Sequence, residues 1–180
     1  HHGAVLRNDL ITAYLGEYTS LIELFMPDIT VGTKSLRTYQ DIYSATCHEL
    51  AHASHFAKVG TSYWNKYIRY VIESFISSKE EPYGDGTTEG AGNCEVGEMW
   101  AYYLQSKLFK ERYGGNFPAF GTDWWFYPQI FRFLDERGLR QSDIFSALDA
   151  NVDSKDALKQ ALMLKYPEKQ DMIGQVFSRY

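Results

Sequence analysis

The chain has 180 residues, of which 44% are hydrophobic and 23% are charged, the composition of an ordinary globular protein with one core. Its net charge of −5 and its lack of a Lys/Arg cluster argue against a nucleic-acid-binding protein. No run of about 18 apolar residues occurs, so the sequence predicts no transmembrane segment. We expect a single domain over residues 1–180. Its start at His1-His2-Gly3, without Met or a signal peptide, suggests a fragment of a longer chain.

The N-terminal part contains one predicted helix and one ambiguous segment. Apolar residues recur at helical spacing over about residues 7–25, which predicts a first helix that ends at Pro27. Residues 28–32 are short and rich in β-branched side chains. An edge strand and a plain loop are equally consistent with this segment.

A second helix is predicted over about residues 38–59. Thr38, with Asp41 three residues later, is typical of a helix start. Gly60 is typical of a helix end. This helix contains the main chemical motif of the sequence.

The motif is His48-Glu49-Leu50-Ala51-His52, which reads His-Glu-x-x-His. Residues four apart lie on one face of a helix, so His48 and His52 can bind one metal ion with Glu49 beside it. A catalytic zinc ion keeps three protein ligands and one water, and a neighbouring carboxylate can take a proton from that water. The alternative is a chance motif formed by two core histidines. We favour the metal site.

His55 falls near the same helical face, three residues after the second motif histidine. Three ligands on one continuous helix cannot easily surround an ion tetrahedrally. We therefore predict that His55 is a partly exposed helix residue and not a ligand.

The elements that follow the motif are predicted to be a helix, a long loop and a second important helix. Residues 62–77 carry a wide apolar face, and residues 78–93 are rich in Gly and charge. The next helix is predicted over about residues 93–113, with Asn93 as its cap.

The third metal ligand is expected from this later helix. Glu95 and Glu98 lie three residues apart on one face, and either carboxylate completes a set of two histidines and one glutamate. Glu98 is preferred because small neighbours, Gly97 and Ala101, let the helix approach the motif helix closely. Glu95 remains open as the ligand or as a hydrogen-bond partner of a ligand imidazole.

The two cysteines leave two interpretations open. Cys47 directly precedes the motif, and Cys94 lies one turn before Glu98. A disulfide between them would join the two ligand-bearing helices, and two separate buried thiols are about equally consistent with the sequence.

The last third is predicted to be helical and structural. Pro128 predicts a break or a later helix start within residues 124–138. Further helices are predicted over about residues 141–150, 153–166 and 168–180.

The motif followed by a helical glutamate resembles the gluzincin branch of the zinc metallopeptidases, over roughly residues 38–105. The resemblance implies an α+β fold that is predominantly α-helical and zincin-like, with a small mixed or antiparallel sheet beside the motif helix. It also implies Zn²⁺ bound by His48, His52 and Glu98, and hydrolysis of a peptide or protein substrate with Glu49 as general base. The candidates for an oxyanion-stabilising group are Tyr102, Tyr103 and Tyr127.

The same resemblance implies an extracytoplasmic setting: secreted, periplasmic or on the cell surface. A second hypothesis is a catalytically inactive zincin-like binding or interaction module of a larger cell-surface protein. The glutamate at the second motif position favours the enzyme.

Overall fold

A computed structural model describes residues 4–7, 29–32, 36, 38–77 and 83–180. A 3₁₀ turn, Pro167–Lys169, precedes the last helix. In chain order the strands and α-helices are β1 Ala4–Arg7, β2 Ile29–Gly32, α1 Tyr39–Val59, α2 Thr61–Ser77, α3 Ala91–Tyr113, α4 Gln129–Glu136, α5 Gln141–Ala147, α6 Lys155–Lys165 and α7 Gln170–Phe177.

The expected α+β, zincin-like fold with a mixed or antiparallel sheet is wrong. Within the described ranges the only paired strands are β1 and β2, which are four residues long and run parallel, with Ala4 opposite Ile29 and Arg7 opposite Gly32. Two such short strands cannot form a sheet layer with its own hydrophobic face, which takes three or more strands. The other assigned elements are helical, so the fold is built by packing helix on helix.

The N-terminal predictions are only partly covered by the described residues. The ambiguous segment at residues 28–32 forms a strand at Ile29–Gly32. The helix predicted at residues 7–25 falls almost wholly outside the described residues.

The bounds of α1 agree with the sequence prediction because its end signals are local. The Thr38 backbone N–H donates to Asp41 Oδ2 at 2.8 Å, and the Asp41 N–H donates to Thr38 Oγ1 at 3.1 Å. This reciprocal capping box satisfies two N–H groups that the first turn leaves unpaired. At the other end Gly60 adopts a φ of 81°, which a glycine takes without strain, and the helix stops there.

The helix α3 lies at the centre of the molecule and packs against α1, α2, α4 and α6. Its first turn begins at Ala91, and Asn93 lies buried inside the helix instead of capping it. The α1–α3 contact is the most extensive, and each of the two helices contains a buried alanine: Ala51 in α1, at 2% exposure, and Ala101 in α3, at 0%. This close approach brings residues of α3 next to the motif.

The C-terminal helices form the remainder of the core, as the sequence predicted. Pro128 precedes α4 directly, so the proline marks a later helix start. Ser154 caps α6 by accepting a hydrogen bond from the Ala157 N–H at 3.1 Å. The described part of the chain contains no helix long and apolar enough to cross a membrane.

Candidate metal site

The two motif histidines and one glutamate of α3 converge on a single point. His48 and His52 lie one helical turn apart on α1, and their Nε2 atoms are 3.0 Å from each other. Glu98 places Oε2 at 3.4 Å from His48 Nε2 and Oε1 at 3.4 Å from His52 Nε2. Donor atoms that share one tetrahedral zinc ion at about 2.0–2.1 Å are themselves roughly 3.3 Å apart. The three side chains therefore form a group that can hold a metal ion.

The burial of Glu98 adds an electrostatic reason for a cation here. Its side chain is 1% exposed, and its Oε2 has no hydrogen-bond partner among the described residues. Burial raises the pKa of this carboxyl, but the neighbouring His52 and His48 lower it by more than burial raises it. The net pKa of Glu98 is therefore below the ordinary value. A buried carboxylate that remains ionised needs positive charge close by, which a bound metal ion supplies.

Tyr67 of α2 fixes the other oxygen of the same carboxylate. Its hydroxyl donates a hydrogen bond to Glu98 Oε1, and the tyrosine is only 6% exposed. A hydrogen bond to a charged group is stronger than one between neutral groups. Tyr67 lies within residues 62–77, whose wide apolar face the sequence predicted, and its burial on that face places the hydroxyl beside Glu98.

The Nδ1 side of His48 contacts a hydrogen-bond network of two polar side chains, Gln105 and Ser44. Its Nδ1 lies 3.1 Å from Gln105 Oε1, and Gln105 Nε2 donates to Ser44 Oγ at 2.6 Å. We did not predict these contacts from the sequence. Helical spacing gave a usable signal, because Ser44 precedes His48 by four residues and Gln105 follows Glu98 by seven, which keeps each pair on one helix face.

The predicted general base, Glu49, is half-buried and follows His48 in α1. Its negative charge is close enough to Tyr102 to contribute to the raised pKa of that phenol. The predicted base and a tyrosine of α3 therefore lie close enough to interact electrostatically.

Tyr102 is the predicted tyrosine that contacts the ligand group. Its ring lies 4.4 Å from the ring of His48, edge to face. Burial first, and then the charge of Glu98, raise its pKa above the ordinary value. Of the other two candidates, Tyr103 donates to Asp135 at 2.8 Å, and Tyr127 packs against Tyr180 at 5.2 Å.

Glu95 serves a different element. Its Oε2 accepts a hydrogen bond at 3.0 Å from the backbone N–H of Lys155, the first residue of α6. The pKa of this carboxyl is raised, because the effect of burial exceeds the lowering by the hydrogen bond and charge of Lys155. The structure therefore uses Glu95 to anchor α6 and places Glu98 in the ligand group.

The expectation that His55 is partly exposed is wrong. Its side chain is 0% exposed and packs between the rings of Tyr63 and Trp64, 5.0 and 5.9 Å away. Neither ring nitrogen has a hydrogen-bond partner in the part of the chain that the structure describes. Burial, followed by the charges of His52 and Lys58, lowers its pKa to about 3. The sharp turn at Gly60 folds α2 back over this end of α1, which periodicity in α1 alone does not reveal.

The two cysteines are free, buried thiols, so no disulfide joins α1 and α3. Burial raises the pKa of Cys47 and of Cys94. Both therefore behave as small packing residues beside the ligand-bearing turns.

Comparison with protein-family models, curated proteins and solved structures gave no significant match to this chain. The gluzincin resemblance therefore depends on the motif residues alone, and the function has to be argued from the site.

Proposed function

We propose that the protein is a zinc-dependent peptidase that hydrolyses a peptide or protein substrate. The observation that carries the proposal is the approach of Glu98, from a separate helix, to within 3.4 Å of both motif histidine Nε2 atoms. A chance motif formed by two core histidines gives no reason for a buried carboxylate at this position.

The donor set favours a transition-metal ion such as zinc over calcium and magnesium. Two imidazole nitrogens and one carboxylate oxygen match the two-histidine, one-glutamate sets of catalytic zinc sites, whereas calcium and magnesium prefer oxygen ligands only. A zinc ion held by His48, His52 and Glu98 would lower the pKa of a water molecule and polarise the scissile carbonyl.

Glu49 is the proposed general base. As the water oxygen forms its bond to the carbonyl carbon, the Glu49 carboxylate takes the water proton. It then delivers the proton to the amine as the carbon–nitrogen bond breaks. Its half-buried position beside His48 supports this role, since it is accessible and adjacent to a ligand.

Tyr102 is the proposed donor to the carbonyl oxygen. A tyrosine phenol is protonated at neutral pH, and burial raises the pKa of Tyr102 further, so its hydroxyl can donate a hydrogen bond where negative charge develops. The contact of its ring with His48 supports this placement.

The test combines zinc content with cleavage of a mixture of quenched-fluorescence peptides. Glu49→Gln should still bind about one zinc ion per chain but lose roughly 100-fold or more of the cleavage rate, because proton transfer contributes about that much. Glu95→Gln is the matched control, since it changes a buried glutamate of the same helix outside the ligand group, and it should keep both properties.

Undiminished cleavage by Glu49→Gln, or cleavage that resists a chelator, would contradict the proposal. Zinc binding without cleavage by the wild type would favour the non-catalytic zincin-like module instead.

A further inference from the structure

A short hydrogen-bond network joins α1 to α3 on the side of His48 that faces away from Glu98. His48 Nδ1 is 3.1 Å from Gln105 Oε1, and Gln105 Nε2 is 2.6 Å from Ser44 Oγ. Ser44 is 4% exposed and Gln105 is half-buried, so solvent competes little for these groups. This hydrogen-bond network therefore constrains His48 from the side opposite the ligand group.

The direction of the amide decides which nitrogen of His48 is available. A neutral imidazole carries one N–H, and an amide oxygen can only accept. With Oε1 of Gln105 facing Nδ1, the proton of His48 lies on Nδ1, and the lone pair of Nε2 points towards His52 and Glu98. The reversed amide would donate to Nδ1 and move the proton to Nε2, where it would block a metal ion.

Ser44 supports the first orientation because its oxygen accepts the amide N–H of Gln105. Ser44 lies one turn before His48 on α1, so both residues that contact Gln105 belong to the same helix. The amide is therefore held at two points, and exchanging its oxygen and nitrogen would require the Ser44 hydroxyl to turn from acceptor to donor.

We propose that Gln105 is a positioning residue that holds His48 in the Nδ1–H tautomer and aims its Nε2 at the metal position. The inference rests on the proposed metal site. Groups that orient a ligand imidazole in this way typically change metal affinity 10- to 100-fold when removed. Gln105 touches neither the ion nor the substrate and acts through His48.

The first readout is zinc affinity, measured by competition with a chromogenic chelator. Gln105→Leu should weaken zinc binding about 10- to 100-fold. Gln105→Glu keeps an acceptor oxygen for Nδ1–H and should bind zinc at least as tightly as the wild type. Gln129→Leu, which changes a half-buried glutamine of α4, is the matched control and should leave zinc affinity unchanged.

The second readout needs no metal. Long-range ¹H–¹⁵N spectra of the zinc-free protein at pH 8 report which imidazole nitrogen carries the proton. The wild type should show His48 as the Nδ1–H tautomer, and Gln105→Leu should show a mixture with the Nε2–H form. Ser44→Ala, which removes only the acceptor for the amide, should shift the tautomer in the same direction with a smaller loss of zinc affinity.

An Nε2–H tautomer in the wild type, or wild-type zinc affinity in Gln105→Leu, would overturn the positioning role while leaving the peptidase proposal intact. If Gln105→Leu does not fold, unchanged zinc affinity and tautomer in Ser44→Ala would overturn it equally. A wild type that binds no zinc would overturn the proposed function and this role together.

Discussion

At the scale of single residues, the site depends on a carboxylate that is buried at 1% exposure and yet ionised. Such a group is stable only where donors and positive charge replace the water that it has lost. Glu98 has Tyr67 at Oε1 and two imidazoles at 3.4 Å, and its Oε2 faces the point where the ligands converge. The hydroxyl of Tyr67 is the neutral donor in this arrangement, and its contribution can be measured separately.

Tyr67→Phe should weaken zinc binding by roughly 10-fold or more, because it removes a charge-assisted hydrogen bond from the ligand carboxylate. Tyr63→Phe is the control on the same helix, since the hydroxyl of Tyr63 donates to the carbonyl oxygens of Asn93 and Val152, 3.2 Å from each. Chelator competition on both variants provides the comparison. Equal zinc affinities would show that Tyr67 contributes to packing alone.

The buried, neutral His55 should make the stability of the fold depend on pH, independently of metal binding. Its pKa is about 3 in the folded protein and about 6.5 when unfolded, so the unfolded chain takes up the proton first as pH falls. The folded state therefore has its full stability above pH 6.5 and loses it towards pH 3. Each pH unit in that window costs about 1.4 kcal/mol, so the loss between pH 7 and pH 5 is about 2 kcal/mol.

Urea unfolding of zinc-free wild type and His55→Phe at pH 7 and pH 5 measures this contribution. The variant should lose about 2 kcal/mol less between the two pH values, whatever its stability at pH 7. Parallel losses in the two proteins would show that His55 is not held neutral by its burial.

At the scale of elements, two glycines of α3 face neighbouring elements, and only one of them is needed for a close approach. A Cβ added at Gly92 would lie 2.0 Å from the Asp153 carbonyl oxygen, in the segment that leads into α6. A Cβ at Gly97 would meet nothing closer than the Tyr67 ring at 3.5 Å, an ordinary contact. The first glycine is required by a backbone approach, and the second is not.

The two alanine variants should therefore change stability in opposite directions. Gly92→Ala should destabilise the protein by about 1–3 kcal/mol through overpacking. Gly97→Ala should stabilise it by about 0.5–1 kcal/mol, because alanine is the better helix former. Free energies of urea unfolding give both values, and a stable Gly92→Ala protein would contradict the close approach of α3 to Asp153.

The same elements show what the sequence could predict. The starts of α1 and α6 were predictable because the capping contacts, at Thr38 and Ser154, join residues within three positions. The pairing of His48 with His52 was predictable for the same reason. The sequence favoured Glu98 over Glu95 only through its small neighbours, because the contact that assigns Glu95 another role, its hydrogen bond to the start of α6, is long-range.

At the scale of the whole molecule, most of the remaining errors are long-range. The burial of His55 depends on α2 folding back at Gly60, and the roles of Tyr67 and Gln105 depend on contacts 31 and 57 residues away along the chain. The expected sheet came from the family resemblance and not from a sequence pattern. Helical periodicity therefore gave the parts of the site, and their assembly needed the tertiary structure.

We propose that this assembly binds one zinc ion through His48, His52 and Glu98. The most direct test is elemental analysis of wild type, Glu98→Ala and Glu95→Ala, each purified without added metal and checked for folding by circular dichroism. We expect about one zinc ion per chain in the wild type and in Glu95→Ala, and almost none in folded Glu98→Ala. Full zinc content in Glu98→Ala, or none in the wild type even after reconstitution with zinc, would contradict the claim.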